Sequence, residues 1–200
     1  MSSRDPRHLL QPRVLIDAYS RGLFPMGMPD GSLGWFSPDP RALIPLDDRF
    51  RITRSLRQSL KRVERGELQV RFDTAFREVM LGCADRESTW ISGQILDAYC
   101  QLAGLGVGHS VEVWEGGQLV GGLYGLALRG AFFGESMFSR VRDASKIALV
   151  HLVLHMRRQN MVLLDTQWLT PHLETFGAYA IPRAEYLSQL RDALSREAGW

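Results

Sequence analysis

The triplet Asp165-Thr166-Gln167 sets a carboxylate and a carboxamide one residue apart, so in an extended chain both side chains leave the same face. A carboxylate that accepts the Gln amide N–H fixes which way the amide points, and leaves its carbonyl oxygen to accept from an attacking amine. The same spacing also suits an aspartate that caps the turn into the next segment. A second acid, Glu135, stands in Phe132-Phe133-Gly134-Glu135-Ser136-Met137-Phe138-Ser139-Arg140. Strand alternation places Glu135 with Phe133 and Met137 on one face, and Phe132, Gly134, Ser136 and Phe138 on the other. A carboxylate isolated among such residues is strongly disfavoured. Glu135 therefore needs a proton, a partner or a role.

Other patterns carry weaker chemistry. His151 and His155 have the i, i+4 spacing of a metal pair, but Leu152-Val153-Leu154 between them lacks the Glu of a zincin helix. The plainer reading is a satisfied or surface-facing pair. Gly104-Leu105-Gly106-Val107-Gly108 follows a helix and precedes a strand, the reverse of the dinucleotide fingerprint. The junction 139–146 contains no glycine, which argues against a nucleotide pyrophosphate lying on its backbone. Cys83 and Cys100 sit far apart in helix-like segments and match neither a disulfide framework nor a zinc motif, so a reducing compartment is the expectation.

With 200 residues, 45% of them hydrophobic, the chain can build a real core. Its 24 basic and 22 acidic residues leave a net charge of +2, which selects no partner. Arg4, Pro6, Arg7 and Pro12 interrupt any apolar signal core, and no apolar run approaches the roughly 18 residues of a membrane span. A cytoplasmic location is expected. Charge is uneven locally: within 49–65, Arg49, Arg51, Arg54, Arg57, Lys61, Arg62 and Arg65 face only Glu64. If Thr53 caps a helix, Arg54, Arg57, Lys61 and Arg65 align along one stripe. That stripe suits a phosphate backbone, and equally a solvated helix face.

The elements that must position these residues follow from spacing. Residues 12–21 read as a short amphipathic helix. Prolines through 24–43 forbid helix and favour an extended, looped path, on which Trp35 and Phe36 either line a site or staple the loop to the core. A domain boundary is placed at Gly66, giving a small N-terminal domain over 1–66 and a second domain over 67–200. The second opens with a strand at 68–72, a helix capped by Asp73, a loop over 85–91 bearing Trp90, and a helix capped by Ser92. Strands at 109–114, 119–128 and 131–138 form an antiparallel meander. Gly121, Gly122 and Gly125 in its middle strand call for a bulge, a bend or close approach of a ligand. A helix at 144–156 capped by Asp143, a strand at 161–164, a short helix opened by Thr170-Pro171, a strand at 178–181 and a helix at 182–194 complete the chain. The helix at 144–156 is a crossover, so the strands bearing Glu135 and Asp165 run parallel and deliver both acids toward one sheet edge, where open α/β sheets bind ligands. The predicted class is α/β with α+β character, and the element order resembles the GNAT acyltransferase sheet with flanking helices.

Together, Trp35-Phe36-Ser37-Pro38-Asp39-Pro40-Arg41, Thr89-Trp90-Ile91, His109-Ser110-Val111-Glu112-Val113-Trp114, Phe133 to Arg140, Ala144-Ser145-Lys146 and Asp165-Thr166-Gln167 resemble the leucyl/phenylalanyl-tRNA–protein transferase family over about residues 15–186. The resemblance implies transfer of Leu or Phe, and also Met, from aminoacyl-tRNA to proteins or peptides with N-terminal Arg or Lys. The product is marked for degradation by the N-degron pathway. It further implies no metal and no coenzyme, no membrane, and action as a monomer. By the same resemblance Asp165 and Gln167 are the catalytic pair, with Glu135 assisting at the acceptor. Phe132, Met137 and Gly122 shape the apolar pocket, Trp35 and Trp90 stack on the terminal adenosine, and Phe36 and Ser139 belong to the substrate site. The stripe of Arg54, Arg57, Lys61 and Arg62 is the expected tRNA contact. An acetyl-CoA-dependent N-acyltransferase of the same fold is the rival enzyme, disfavoured by the absent glycine loop. A non-enzymatic tRNA-binding module is the other alternative, and it leaves Asp165, Gln167 and Glu135 without a purpose.

Overall fold

Pro12, at the first turn where its missing N–H costs nothing, opens α1 (Pro12–Ser20), which buries Leu15, Ala18 and Tyr19 and ends where Gly22 takes a positive φ of 77°. The computed structural model describes residues 9–200; Arg4, Pro6 and Arg7 lie outside them. The proline-rich stretch that follows is extended, and it pairs. It forms β1 (Phe24–Gly27), β2 (Leu33–Phe36) and β3 (Arg41–Ile44). The basic segment is α2 (Arg54–Glu64), capped by Thr53 Oγ1 accepting the Leu56 N–H at 3.2 Å. There follow β4 (Gln69–Phe72), α3 (Phe76–Ala84), α4 (Gly93–Gly104), β5 (Gly108–Glu115), β6 (Gln118–Leu128), β7 (Ala131–Ser139), α5 (Ala144–Arg158), β8 (Leu163–Gln167), α6 (Pro171–Glu174), β9 (Tyr179–Ile181) and α7 (Arg183–Ser195).

β1 and β2 make a separate two-stranded sheet, and the other seven strands lie in the order β4-β5-β6-β7-β8-β3-β9. The β4 to β7 pairings are antiparallel, β7 and β8 are parallel across the α5 crossover, and β3 runs antiparallel to both β8 and β9. This is the mixed, GNAT-like sheet with helices on both faces. One core layer unites Leu15 and Tyr19 of α1, Val79 of α3, Tyr99 of α4 and Tyr186 of α7. The other unites Leu56 of α2 with Ile147, Leu152 and Val153 of α5. β3 precedes Gly66 yet is threaded into the main sheet, so Gly66 does not divide the sheet from what comes before it. A four-residue apolar run carries no mark of which distant strands it joins.

Two local features shape the centre. The parallel ladder has only three rungs, Ala131 with Leu163, Phe132 with Leu164 and Phe133 with Asp165. Beyond Phe133 the two strands are no longer paired. On the other edge of β7, Gly134 pairs with Gly125 and Ser136 with Tyr124, so Glu135 has no opposite residue. It is a β-bulge, which re-aims a side chain and resets the alternation after it. Phe138 thereby packs in the same core layer as Phe133, and Met137 beside the layer of Phe132, the reverse of the pairing that strict alternation predicts. The glycines of β6 serve close packing of the protein on itself. A Cβ on Gly125 would lie 2.2 Å from the Phe133 carbonyl oxygen, and one on Gly121 2.4 Å from Ala144 Cβ. Two expected caps also differ. Asp73 takes the Ser110 N–H at 2.8 Å rather than capping α3, and Ser139 rather than Asp143 binds the Ser145 N–H in the first turn of α5, at 2.8 Å.

Candidate active site

Where β7 and β8 part, a cavity of about 440 Å³ opens. Residues of both core layers line it, so it runs through the gap in the sheet. Its apolar side is Ile44, Leu123, Met137, Leu149, Leu152, Leu164 and Leu173; its other side carries Phe24, Met26, Trp90, Tyr124 and Trp168. The polar groups on the wall include Arg86, Glu135, Ser136, Gln167, Thr170 and His172. A mainly apolar cleft with a few convergent polar groups is the usual form of a small-ligand site. Burial, followed by the neighbouring Lys146, lowers the His172 pKa and favours a neutral imidazole on the wall.

Behind this wall lies a buried ion pair. Arg41 of β3 donates from Nε to Asp165 Oδ1 at 2.8 Å and from Nη2 to Oδ2 at 2.6 Å, with both side chains 0% exposed. Its remaining Nη1 reaches the Gly22 carbonyl at 2.9 Å, and the guanidinium lies 4.5 Å from the Tyr186 ring centroid. Tyr186 Oη also donates to Asp165 Oδ2 at 2.8 Å. The fourth donor is the Gln167 backbone N–H, 2.9 Å from Oδ1. Four donors satisfy this carboxylate without solvent, which is what burial of such a pair requires. Asp165 is absent from the cavity wall. Of the two expectations for Asp165 and Gln167, the geometry is that of the turn cap: Asp165 holds the Gln167 backbone, not its amide. The reason is conformational, since Gln167 turns to φ 61° and leaves the strand alternation on which a side-chain pair depends. Gln167 lines the cavity, and its Nε2 is buried and unpartnered among the described residues.

Glu135 is held from the opposite side. Its Oε1 accepts from Tyr19 Oη at 2.6 Å, and Tyr19 in turn shares a hydrogen bond with Tyr99 Oη. Burial, opposed by the Tyr19 hydrogen bond and aided by the negative charge of Asp165, pushes the Glu135 pKa up to about 8. The acid is therefore mostly protonated at neutral pH. Burial and Glu135 also raise the pKa of Tyr19, Tyr99 and Tyr124 well above the usual phenol value. Tyr124 belongs to the cavity wall, and its Oη is buried without a partner among the described residues.

The remaining sequence-derived candidates divide. Trp90 and Met137 line the cavity, whereas Trp35, Phe36, Phe132, Gly122 and Ser139 do not. Phe36 backs the wall through Phe24 and Trp168, each 6.1 Å away between ring centroids. Phe132 is fully buried, 5.3 Å from the Trp200 ring, because the bulge lies beyond it and leaves it facing the α5 layer. Gly122 lies where a Cβ would meet the Val111 carbonyl at 2.7 Å and Val79, away from the cleft. Ser139 is occupied at the start of α5. On α2, Arg54, Arg57 and Lys61 are exposed, while Arg62 is half-buried and bonded to Glu67 and Glu115. That helix docks beside the start of α5 through Ser59 and Asp143 at 2.7 Å and through Ser55 and Arg142 at 3.2 Å. Sequence reasoning missed Arg41, Tyr19, Tyr99, Tyr124, Tyr186 and Arg86. Arg41 alone carried a signal, as a cation at the head of an apolar run.

Among the described residues no group of three or more His, Cys, Asp or Glu is placed to hold a metal ion. The family model described as leucyl/phenylalanyl-tRNA protein transferase matches residues 43–191, and that of the family's N-terminal domain matches 9–39. A leucyl/phenylalanyl-tRNA–protein transferase of Herpetosiphon aurantiacus is 53% identical over 189 residues, 94% of this chain and 97% of that protein. The chain belongs to the leucyl/phenylalanyl-tRNA–protein transferase family. A second member, from Akkermansia muciniphila, is 50% identical over 192 residues, 94% of this chain and 98% of its own length. The C-terminal domain of a putative lysylphosphatidylglycerol synthetase from Agrobacterium fabrum superimposes with a TM-score of 0.52 at 16% identity, over 92% of this chain and 69% of its own, and shares the fold alone. Membership makes this transferase an aminoacyltransferase. Its N-terminal match contributes Tyr19 and Phe24 to the site, its larger match Glu135, Asp165 and Gln167, and Arg41 joins them from between the two.

Proposed function

We propose that this transferase moves Leu or Phe, and also Met, from aminoacyl-tRNA to the α-amino group of proteins whose N-terminal residue is Arg or Lys, creating an N-degron. The observation that carries the reading is the single cleft in which an apolar end meets Glu135 and Gln167, whose Nε2 is unpartnered among the described residues. The apolar end takes the transferred side chain. One methylene there is worth only about 1–3 kcal/mol, so unbranched or γ-branched Leu, Phe and Met share it, while β-branched Ile and Val are rejected by shape.

The acceptor amine attacks the ester carbonyl of the aminoacyl-tRNA. A C–N bond forms, the C–O bond to the terminal ribose breaks, and the proton lost by nitrogen ends on the released hydroxyl. The Gln167 carbonyl accepts a hydrogen bond from the amine as it attacks, helping it shed that proton. Asp165 acts through Gln167: held by Arg41 and Tyr186, it fixes the backbone from which the amide projects. It is a positioning residue. Glu135 receives the cationic side chain of the acceptor, which supplies the charge that its apolar surroundings lack. Trp90 stacks on the terminal adenosine with Trp35 nearby, and Arg54, Arg57 and Lys61 bind tRNA phosphates along α2. The reaction needs no metal or coenzyme. The enzyme works in the cytoplasm as a monomer; among the described residues no helix is long and apolar enough to cross a membrane.

The test is direct. Purified protein with labelled leucyl-tRNA and a peptide beginning with Arg yields leucylated peptide, and a peptide beginning with Asp yields little. Equal product from both would sink the assignment.

A further inference from the structure

Tyr19 and Tyr99 are 0% exposed and sit in an apolar layer with Leu15, Ile95 and Leu102. Phenylalanine would fill the same space without the cost of burying a hydroxyl. Both hydroxyls are instead spent on one chain, Tyr99 to Tyr19 to Glu135 Oε1. The chain spans three elements, α4, α1 and the bulge of β7. Nothing in the packing of the core requires it. What it does is fix the direction of a carboxyl group that has no strand partner and faces the cleft.

We propose that Tyr19 and Tyr99 are positioning residues of the transfer: their hydroxyls form a relay that aims Glu135 into the cleft and stabilises its carboxylate when the cationic N-terminal residue of the acceptor arrives. This rests on the reading of Glu135 as the partner of that cation. On binding, Glu135 releases its proton to water, and the acceptor cation and the Tyr19 hydrogen bond together replace it. The groups that face Glu135 are Tyr19 of α1, Arg41 of β3, Tyr99 of α4, Tyr124 of β6 and Asp165 of β8, with Cys83 and Arg86 facing Tyr124 behind it. Of these, Tyr99 and Tyr19 both hydrogen-bond its carboxyl group, and the Tyr19 hydrogen bond, the larger of the two effects, acts to lower the Glu135 pKa against the effect of burial. Removing that hydroxyl therefore raises the pH at which the acceptor site becomes charged.

The experiment measures KM and kcat for an Arg-initiated peptide between pH 6 and 9 in the wild type, Tyr19→Phe, Tyr99→Phe, Glu135→Gln and Glu135→Gln with Tyr19→Phe. The α-amine of the peptide also titrates near 8, equally in every variant, so the differences between variants are read. In Tyr19→Phe the limb of the KM profile moves to higher pH and KM at pH 7 rises about tenfold, while KM recovers at high pH and kcat changes little. Tyr99→Phe moves it the same way by less. In the Glu135→Gln background, Tyr19→Phe changes nothing further. Unmoved limbs in both folded single variants, as shown by melting curves, would overturn the relay; should Tyr19→Phe fail to fold, the Tyr99→Phe profile alone decides. Absence of wild-type transfer to the Arg peptide would instead remove the underlying reading of the site.

Discussion

Arg41 and Asp165 stand 124 residues apart in the chain and meet through two parallel hydrogen bonds of 2.8 and 2.6 Å, both side chains fully buried. The pair ties β3 to β8 directly behind Gln167. Breaking a buried pair from one side leaves an uncompensated charge, at about 3–5 kcal/mol. Arg41→Met is expected to lose stability on that scale in urea denaturation, and Arg41→Lys to recover only part, since an ammonium cannot reproduce the fork. A midpoint unchanged by Arg41→Met would show that the pair is not what holds this part of the sheet.

Gln167 combines a left-handed backbone, φ 61°, with a buried Nε2 that lacks a partner among the described residues. A non-glycine residue there costs about 1–2 kcal/mol. Gln167→Gly relieves both burdens, so its melting temperature stays equal or rises while leucyl transfer falls by about tenfold or more. A variant that keeps full activity would show that the amide has no part in the reaction.

The far wall of the cleft predicts how the transferred residue is chosen. Leu149 and Leu152 of α5 close its apolar end. Leu149→Phe shortens that end, and competition between leucyl- and phenylalanyl-tRNA should shift toward Leu by about 10- to 200-fold, the range that small changes in apolar volume produce. An unchanged ratio would place the transferred side chain elsewhere.

Stability should carry the mark of Glu135. An acid whose folded pKa lies above its unfolded value binds its proton more tightly when folded, so the stabilisation is complete below the unfolded pKa and is lost as pH rises through the folded one. For Glu135 that window runs from the ordinary 4.5 to about 8. In Glu135→Gln the fall in melting temperature across this window should be smaller than in the wild type. Parallel curves for the two proteins would contradict the assigned protonation.

Salt dependence separates the basic residues of α2. Each phosphate contact contributes about 0.9 to the slope of log K against log salt on a duplex. Arg54→Ala, Arg57→Ala and Lys61→Ala should each reduce the slope for aminoacyl-tRNA by about one. Arg62→Ala, whose guanidinium is engaged by Glu67 and Glu115, should leave it nearly unchanged. Equal effects at all four positions would argue against this division.

The sequence by itself determined the meander, the α5 crossover and the parallel β7–β8 pair, because those rest on local signals: alternation, turn glycines and the one handed connection that a parallel pair allows. It also singled out Glu135, Asp165 and Gln167, since an acid among aromatics or one residue from a carboxamide is visible without coordinates. Only the tertiary structure decided how they are held. The bulge at Glu135 depends on how β7 registers against β6. The dihedral of Gln167 sends Asp165 to a backbone N–H. Arg41, Tyr19, Tyr99 and Tyr186 reach the site from four elements distant in sequence from β7 and β8 or from one another. Register, a single left-handed residue and contacts across such separations leave no periodic trace in the chain, because they arise from packing between elements rather than within one.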